Sequence, residues 1–296
     1  MARAAAPARL AAPARRAIPG RVRRRRHRGA AAGAALLALF SLTALFAPAI
    51  ARQDPLAQQI DRRLAAPSRA HLLGTDHLGR DLFSRLVYGS RISLAVGLTA
   101  VAMGGVVGSV AGLVGGYWGG WADRAVVLVV DIFLTFPTIL VALAIVALLG
   151  SGLLNVVLAI ALAVWPGIAR VVRGTTIRVR AYDFVEAARA LGASDARILF
   201  RHVAPNTVGP LVVMLTFEVG AAILTEASLG FLGVGVPPPL PTWGAIVSEG
   251  RDYLRTAPWA IAFGGAAISL TVLALNLLGD GLRDILDPTF RRQSMP

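Results

Sequence analysis

Apolar residues in this chain are gathered into blocks of twenty or more, and most of the charged residues stand in the gaps between them. The blocks run approximately over 29–50, 92–117, 125–149, 152–172, 207–236 and 258–279. At about 1.5 Å rise per residue, a helix of about 20 residues crosses a hydrocarbon core of roughly 30 Å. A membrane barrel would instead show alternating strands of about ten residues. The pattern predicts an all-α, polytopic membrane protein with six transmembrane helices. It divides the chain into a basic arm (1–28), a first helix (29–50), a long external segment (51–91), a transmembrane core (92–279) and a tail (280–296). Gly104, Gly105, Gly108, Gly112, Gly115 and Gly116 recur at the short spacings that let membrane helices approach closely. Pro137 and Pro166 are expected to kink their helices.

The first block has a rival reading. Arginines, an apolar stretch and Ala47-Pro48-Ala49 imitate a secretory signal with a small-residue cleavage site. That stretch is about 22 residues long, against the usual 7 to 15 of a signal, so a retained helix is expected.

Composition sharpens the picture. A mean hydropathy of +0.66 coexists with a net charge of +14 because the two kinds of residue are segregated. This excludes a soluble globular enzyme and a disordered basic protein. With no cysteine there are no disulfides and no thiolate metal sites. His27, His71, His77 and His202 lack two-ligand spacing on any helix, so no metal site is expected. All thirty basic residues are arginine. The run Arg21 to Arg28 abuts an apolar block, which reads as an orienting anchor and not as a nucleic-acid site. With the N-terminus inside, the inner segments carry 21 arginines and the outer ones 9. The positive-inside rule then places both termini in the cytoplasm.

The largest inner loop, 173–206, is itself organised. Residues 182–191 read as a short helix, with Asp183 able to cap its start. Gly192 breaks it. Ser194 or Asp195 can cap a second short helix, which Pro205-Asn206 is expected to end. Phe184, Ala187, Ala188 and Leu191 recur at three- and four-residue spacing, giving an apolar face suited to a groove on another protein.

Glu186-Ala187-Ala188, with Gly192 and then Pro205, resembles the EAA loop of permease subunits of ATP-binding-cassette importers. The usual family ending Ile-x-Leu-Pro stands here as His202-Val203-Ala204-Pro205. Three further blocks are similar to the C-type permeases of dipeptide, oligopeptide and nickel importers. They are Leu73 to Arg85 with Tyr88 to Leu94, then Glu226 to Pro237 with Pro241-Thr242-Trp243-Gly244, then Asn276 to Asp284. The resemblance implies that Glu186, Ala187, Ala188, Gly192 and Pro205 form a coupling helix seated in a cytoplasmic ATPase. It also implies a homologous second permease, two ATPase subunits that use ATP and Mg, and an extracytoplasmic solute-binding protein. The bacterial cytoplasmic membrane would be the location, and di- or oligopeptides the cargo. Nickel or another small solute is the alternative within the branch.

Three acids fall inside predicted spans: Asp131, Glu218 and Glu226. Such residues face a cavity or a partner. Glu218 and Asp131 either line a translocation pathway, where a carboxylate could meet a peptide amino terminus, or are protonated or paired with the partner subunit. Glu226 reads as a structural hydrogen-bonding residue. Gly74 and Gly79 suit turns, and Asp76, Arg80 and Asp81 are either surface ion pairs of little weight or parts of an external lid. No phosphate loop is possible without lysine, and no catalytic motif is present, so the chain is expected to bind no cofactor and to be no enzyme. A stand-alone ion-coupled carrier using Asp131 and Glu218 is the reading from another class; an ordered docking loop and the lack of an inverted repeat count against it.

Overall fold

Asp81 opens the longest helix. Its carboxylate accepts from the Ser84 amide, which caps a helix running Leu82–Trp118. The computed structural model describes residues 20–286, with side chains from residue 28 onward. Most of the basic arm and the end of the tail therefore lie outside the described residues. In chain order the helices are α1 (Gly20–Leu45), α2 (Ala47–Ile50), α3 (Leu82–Trp118), α4 (Gly120–Leu134), α5 (Thr138–Leu149) and α6 (Leu153–Arg180). They continue as α7 (Asp183–Ala190), α8 (Asp195–Ile198), α9 (Ala204–Phe231), α10 (Trp243–Gly250) and α11 (Pro258–Leu286). Among the described residues there is no named strand. Among the described residues five helices are individually long and apolar enough to cross a membrane, and the bent pair α4–α5 makes six where it is counted as one broken span.

Several boundaries differ from the hydropathy blocks, each for a physical reason. α3 begins ten residues before the apolar block because Arg85, which depresses hydropathy there, is buried in an ion-pair network. α6 continues past residue 172 because its arginines are paired: Arg173 bonds Asp123 at 2.5 and 2.7 Å, and Arg180 donates to the Tyr117 carbonyl. Pro137 does more than kink: α4 and α5 meet at 89°. Pro166 sits inside an uninterrupted α6. The expected stop at Pro205 does not occur. One π turn, Leu199–Val203, joins α8 to α9, with the Ala204 amide donating to the Leu199 carbonyl. Proline at the second position of α9 has no amide to give, and the wider turn accommodates its ring.

The bundle is centred on α6, which packs against α3, α4, α5 and α9. The contact with α3 is set by glycines. A Cβ at Gly104, Gly108 or Gly112 would come within 2.6–2.8 Å of the Ala161, Trp165 or Ala169 carbonyl oxygens. The four-residue spacing thus forms a seam where two backbones nearly touch. Gly108→Leu is expected to lower the stability of the purified protein by about 1–3 kcal/mol or more, the cost of overpacking a filled interface. A thermal melt in detergent matching the wild type would refute this. α1 packs on α11, with Gly33 against the Ala274 carbonyl.

Candidate functional site

At one end of the bundle, α7 and α8 form a small unit around Gly192. Its backbone is left-handed (φ +79°), which glycine adopts without strain. Tyr182 occupies the N-cap of α7 and no side chain caps it, so Asp183 is the first helical residue and not the cap. Ser194 caps α8. The residue that seats the unit is Val185, fully buried with Tyr117, Val179, Ile198, Leu199 and Val203. Ala188 packs against the same cluster, while Glu186, Ala187 and Pro205 are exposed. The opposite face is apolar and uncovered: Phe184 is 42% and Leu191 89% exposed. The Tyr117 hydroxyl donates to Asp195 at 2.8 Å, tying the end of α3 to α8. The expected apolar face is present, but Val185, outside that pattern, provides the anchor.

The three acids within spans have three different environments. Asp131 on α4 accepts from Arg170 on α6 at 2.6 Å, and the side chains are 56% and 59% exposed. Glu218 on α9 is half-buried, its Oε1 lying 3.9 Å from where a Cβ on Gly167 of α6 would stand. Glu226 is wholly buried and accepts from the Ser93 hydroxyl at 3.2 Å; that hydroxyl in turn accepts from the Trp243 amide. A charge near mid-membrane costs about 2.5–3.5 kcal/mol on insertion scales, so an exposed pair such as Asp131–Arg170 requires water or a partner over it.

At the end of the bundle opposite α7, the segment between α2 and α3 folds over the helix tips. Gly74 and Gly79 have φ of +81° and +74°. A Cβ on Gly79 would overlap the Gln59 carbonyl, so this turn admits only glycine. Asp76, Arg80 and Asp81 are not surface pairs, contrary to one reading of the sequence: all three are buried. Asp76 Oδ2 accepts from Arg80 Nε at 2.6 Å and from Arg85 Nη1 at 2.7 Å. Both guanidiniums also reach Glu249 on α10, at 2.6 and 3.0 Å. Asp81 bonds His71 at 3.0 Å and the Ser84 hydroxyl at 2.8 Å. Donor atoms of Asp76, His77 and Glu249 also lie within 4.8 Å of one another, but both carboxylates already hold arginines, which disfavours a cation there. Sequence reasoning missed Glu249 and Arg85; the one acid in the otherwise uncharged run 243–250 was the available signal.

Among the described residues the chain is an all-helical bundle with several helices long and apolar enough to cross a membrane, the build of a polytopic membrane protein. A family model described as the binding-protein-dependent transport system inner membrane component matches residues 104–292. A second, the N-terminal TM domain of oligopeptide transport permease C, matches residues 21–67. The chain belongs to the family of binding-protein-dependent inner-membrane transport components. It is 47% identical over 268 residues to the Glutathione transport system permease protein GsiD of Escherichia coli O6:K15:H31, covering 90% of this chain and 88% of that protein. The protein of the same name from Pectobacterium atrosepticum is 48% identical over 231 residues, covering 78% and 77%. Among solved structures, the MetNI methionine ABC transporter in an inward-facing conformation matches with a TM-score of 0.58 and 21% identity. The match covers 70% of this chain and 98% of that one, and it corroborates the fold.

Proposed function

We propose that this permease carries peptides, glutathione-like tripeptides among them, inward across the bacterial cytoplasmic membrane. The single observation that carries the substrate class is the identity to glutathione permeases over nearly the whole chain. A homologous second permease would complete the pathway, two cytoplasmic ATPases would use ATP and Mg, and an extracytoplasmic binding protein would deliver the peptide. The α7–α8 unit, with Glu186, Ala187, Ala188, Gly192 and Pro205, would dock on an ATPase; the uncovered Phe184 and Leu191 support this. That end would face the cytoplasm with both termini, in keeping with the arginine asymmetry, and the Asp76–Arg80–Arg85 end would face outward. The divisions at 28, 50, 91 and 279 would mark where the chain enters and leaves the apolar core of the membrane, the helices α1, α3 and α11 extending beyond them. Glu218 and Asp131 would line the pathway, and Glu226, Gly74, Gly79 and Asp81 would hold the fold.

The test is reconstitution with the neighbouring gene products in proteoliposomes. ATP-dependent uptake of labelled glutathione or a dipeptide is expected, with nickel ion not accumulated. Glu218→Ala should lower peptide uptake per assembled complex severalfold while leaving assembly intact. Nickel uptake without peptide uptake would overturn the substrate class, and normal uptake by the Glu218 variant would remove that residue from the pathway.

A further inference from the structure

α6 is the most enclosed of the long helices, with 67% of its apolar window buried. Between Ala163 and Val172 the residues that are not buried are Gly167, Arg170 and Val171. They lie at three- and four-residue spacing, so they form one narrow opening on one helix face. Two acids from other helices border this opening. Asp131 of α4 is bonded to Arg170 at 2.6 Å, and Glu218 of α9 stands beside Gly167. Gly167 and Arg170 are separated by roughly 4.5 Å along the axis. An ion pair, Asp131–Arg170, and a second acid, Glu218, therefore border the same face of the central helix about one turn apart. The exposed surface of α3 is made differently, of Val106, Val107 and Val110, as lipid contact demands.

We infer that Asp131, Arg170 and Glu218 together form a site for a zwitterion on the pathway. Arg170 takes the carboxylate terminus of a passing peptide, and the two acids take its ammonium group. This deepens the proposed function and rests on its placing of Asp131 and Glu218. The guanidinium fork matches a carboxylate in a bidentate arrangement that a point charge cannot reproduce. In the empty pathway Arg170 and Asp131 neutralise one another. Because both are more than half exposed, their pairing is worth little and is readily exchanged for the two ends of a peptide. Arg170 and Asp131 each exchange one partner for another, and Glu218 shares the ammonium with Asp131. Binding of this kind is selective yet weak enough to release, as a pathway requires.

The experiment uses the purified complex of permeases and ATPases without binding protein. Binding of a fluorescent tripeptide is compared with that of its C-terminal amide. The wild type is expected to prefer the free acid about tenfold, and Arg170→Gln to bind both alike. Where the glutamine variant fails to assemble, Arg170→Lys keeps the pair with Asp131 but loses the fork, and should still cut the preference severalfold. No preference in the wild type, absence of binding included, would overturn the site. So would a variant that retains the preference. Uptake by the wild-type complex with its binding protein is measured separately, so failure of the zwitterion site and failure of the importer reading are distinguishable.

Discussion

Asp76→Ala should remove most of the assembled protein from the membrane. Asp76 accepts four hydrogen bonds, from the Leu78 and Arg80 amides and from the Arg80 and Arg85 side chains. Deleting the carboxylate leaves two buried guanidiniums with Glu249 as their shared acid. Breaking a buried pair by removing one partner costs about 3–5 kcal/mol, because the remaining charge stays desolvated. Native domains are stable by only about 5–15 kcal/mol, so the loss is a large share of the whole. The network also joins three separate pieces of chain: the segment before α3, α3 itself and α10. Its failure would free the covering segment from the helix tips. Abundance of the intact complex and its melting temperature in detergent are the measurements. An exposed arginine of the same segment, Arg63, serves as the control and should change stability by less than about 0.5 kcal/mol when truncated. Wild-type abundance and melting for Asp76→Ala would refute the account.

Hydropathy finds helices by what lies in lipid, so five of the six apolar blocks fall on single long helices, the block 125–149 is broken at Pro137, and the helix ends are read poorly. α3 and α6 both outrun their apolar blocks because arginines at their ends are neutralised by partners remote in sequence: Glu249 for Arg85, Asp123 for Arg173. No local pattern contains that information. The glycine seam of α3 was legible, since Gly104, Gly108 and Gly112 recur every four residues, though the partner helix was not. At the α7 unit the turn at Gly192 was legible from its neighbours. Val185 was hidden because the amphipathic pattern finds the uncovered face and the seating residue equally apolar. Asp131 stood out as an acid in an apolar run, whereas Arg170 lay at the end of the block 152–172 with nothing in the local pattern to single it out. Only the packing of α4 on α6 brings the two together.

Gly192→Asp should abolish coupled uptake while leaving the permease folded and inserted. Two features of the turn make this substitution a clean probe. No atom lies within 4 Å of a Cβ built there, so the new side chain meets nothing in its own subunit. The left-handed backbone (φ +79°) disfavours most side chains, but aspartate is among the residues that tolerate it. The cost to folding is therefore small, about 1 kcal/mol. The carboxylate instead projects beside Leu191, the most exposed large apolar residue of the unit. If that surface enters an ATPase cleft, a charge must be stripped of water there without a partner, which costs several kcal/mol and exceeds what a small apolar contact returns. Gly192→Ala carries the backbone strain without the charge, and should retain most of the uptake. The pair of variants thus separates turn geometry from docking. The expected readings are loss of uptake in the aspartate variant, weakened retention of the ATPase on purification, and ATP hydrolysis no longer raised by loaded binding protein. Normal uptake with normal stimulated hydrolysis would show that the ATPase is engaged elsewhere on the chain.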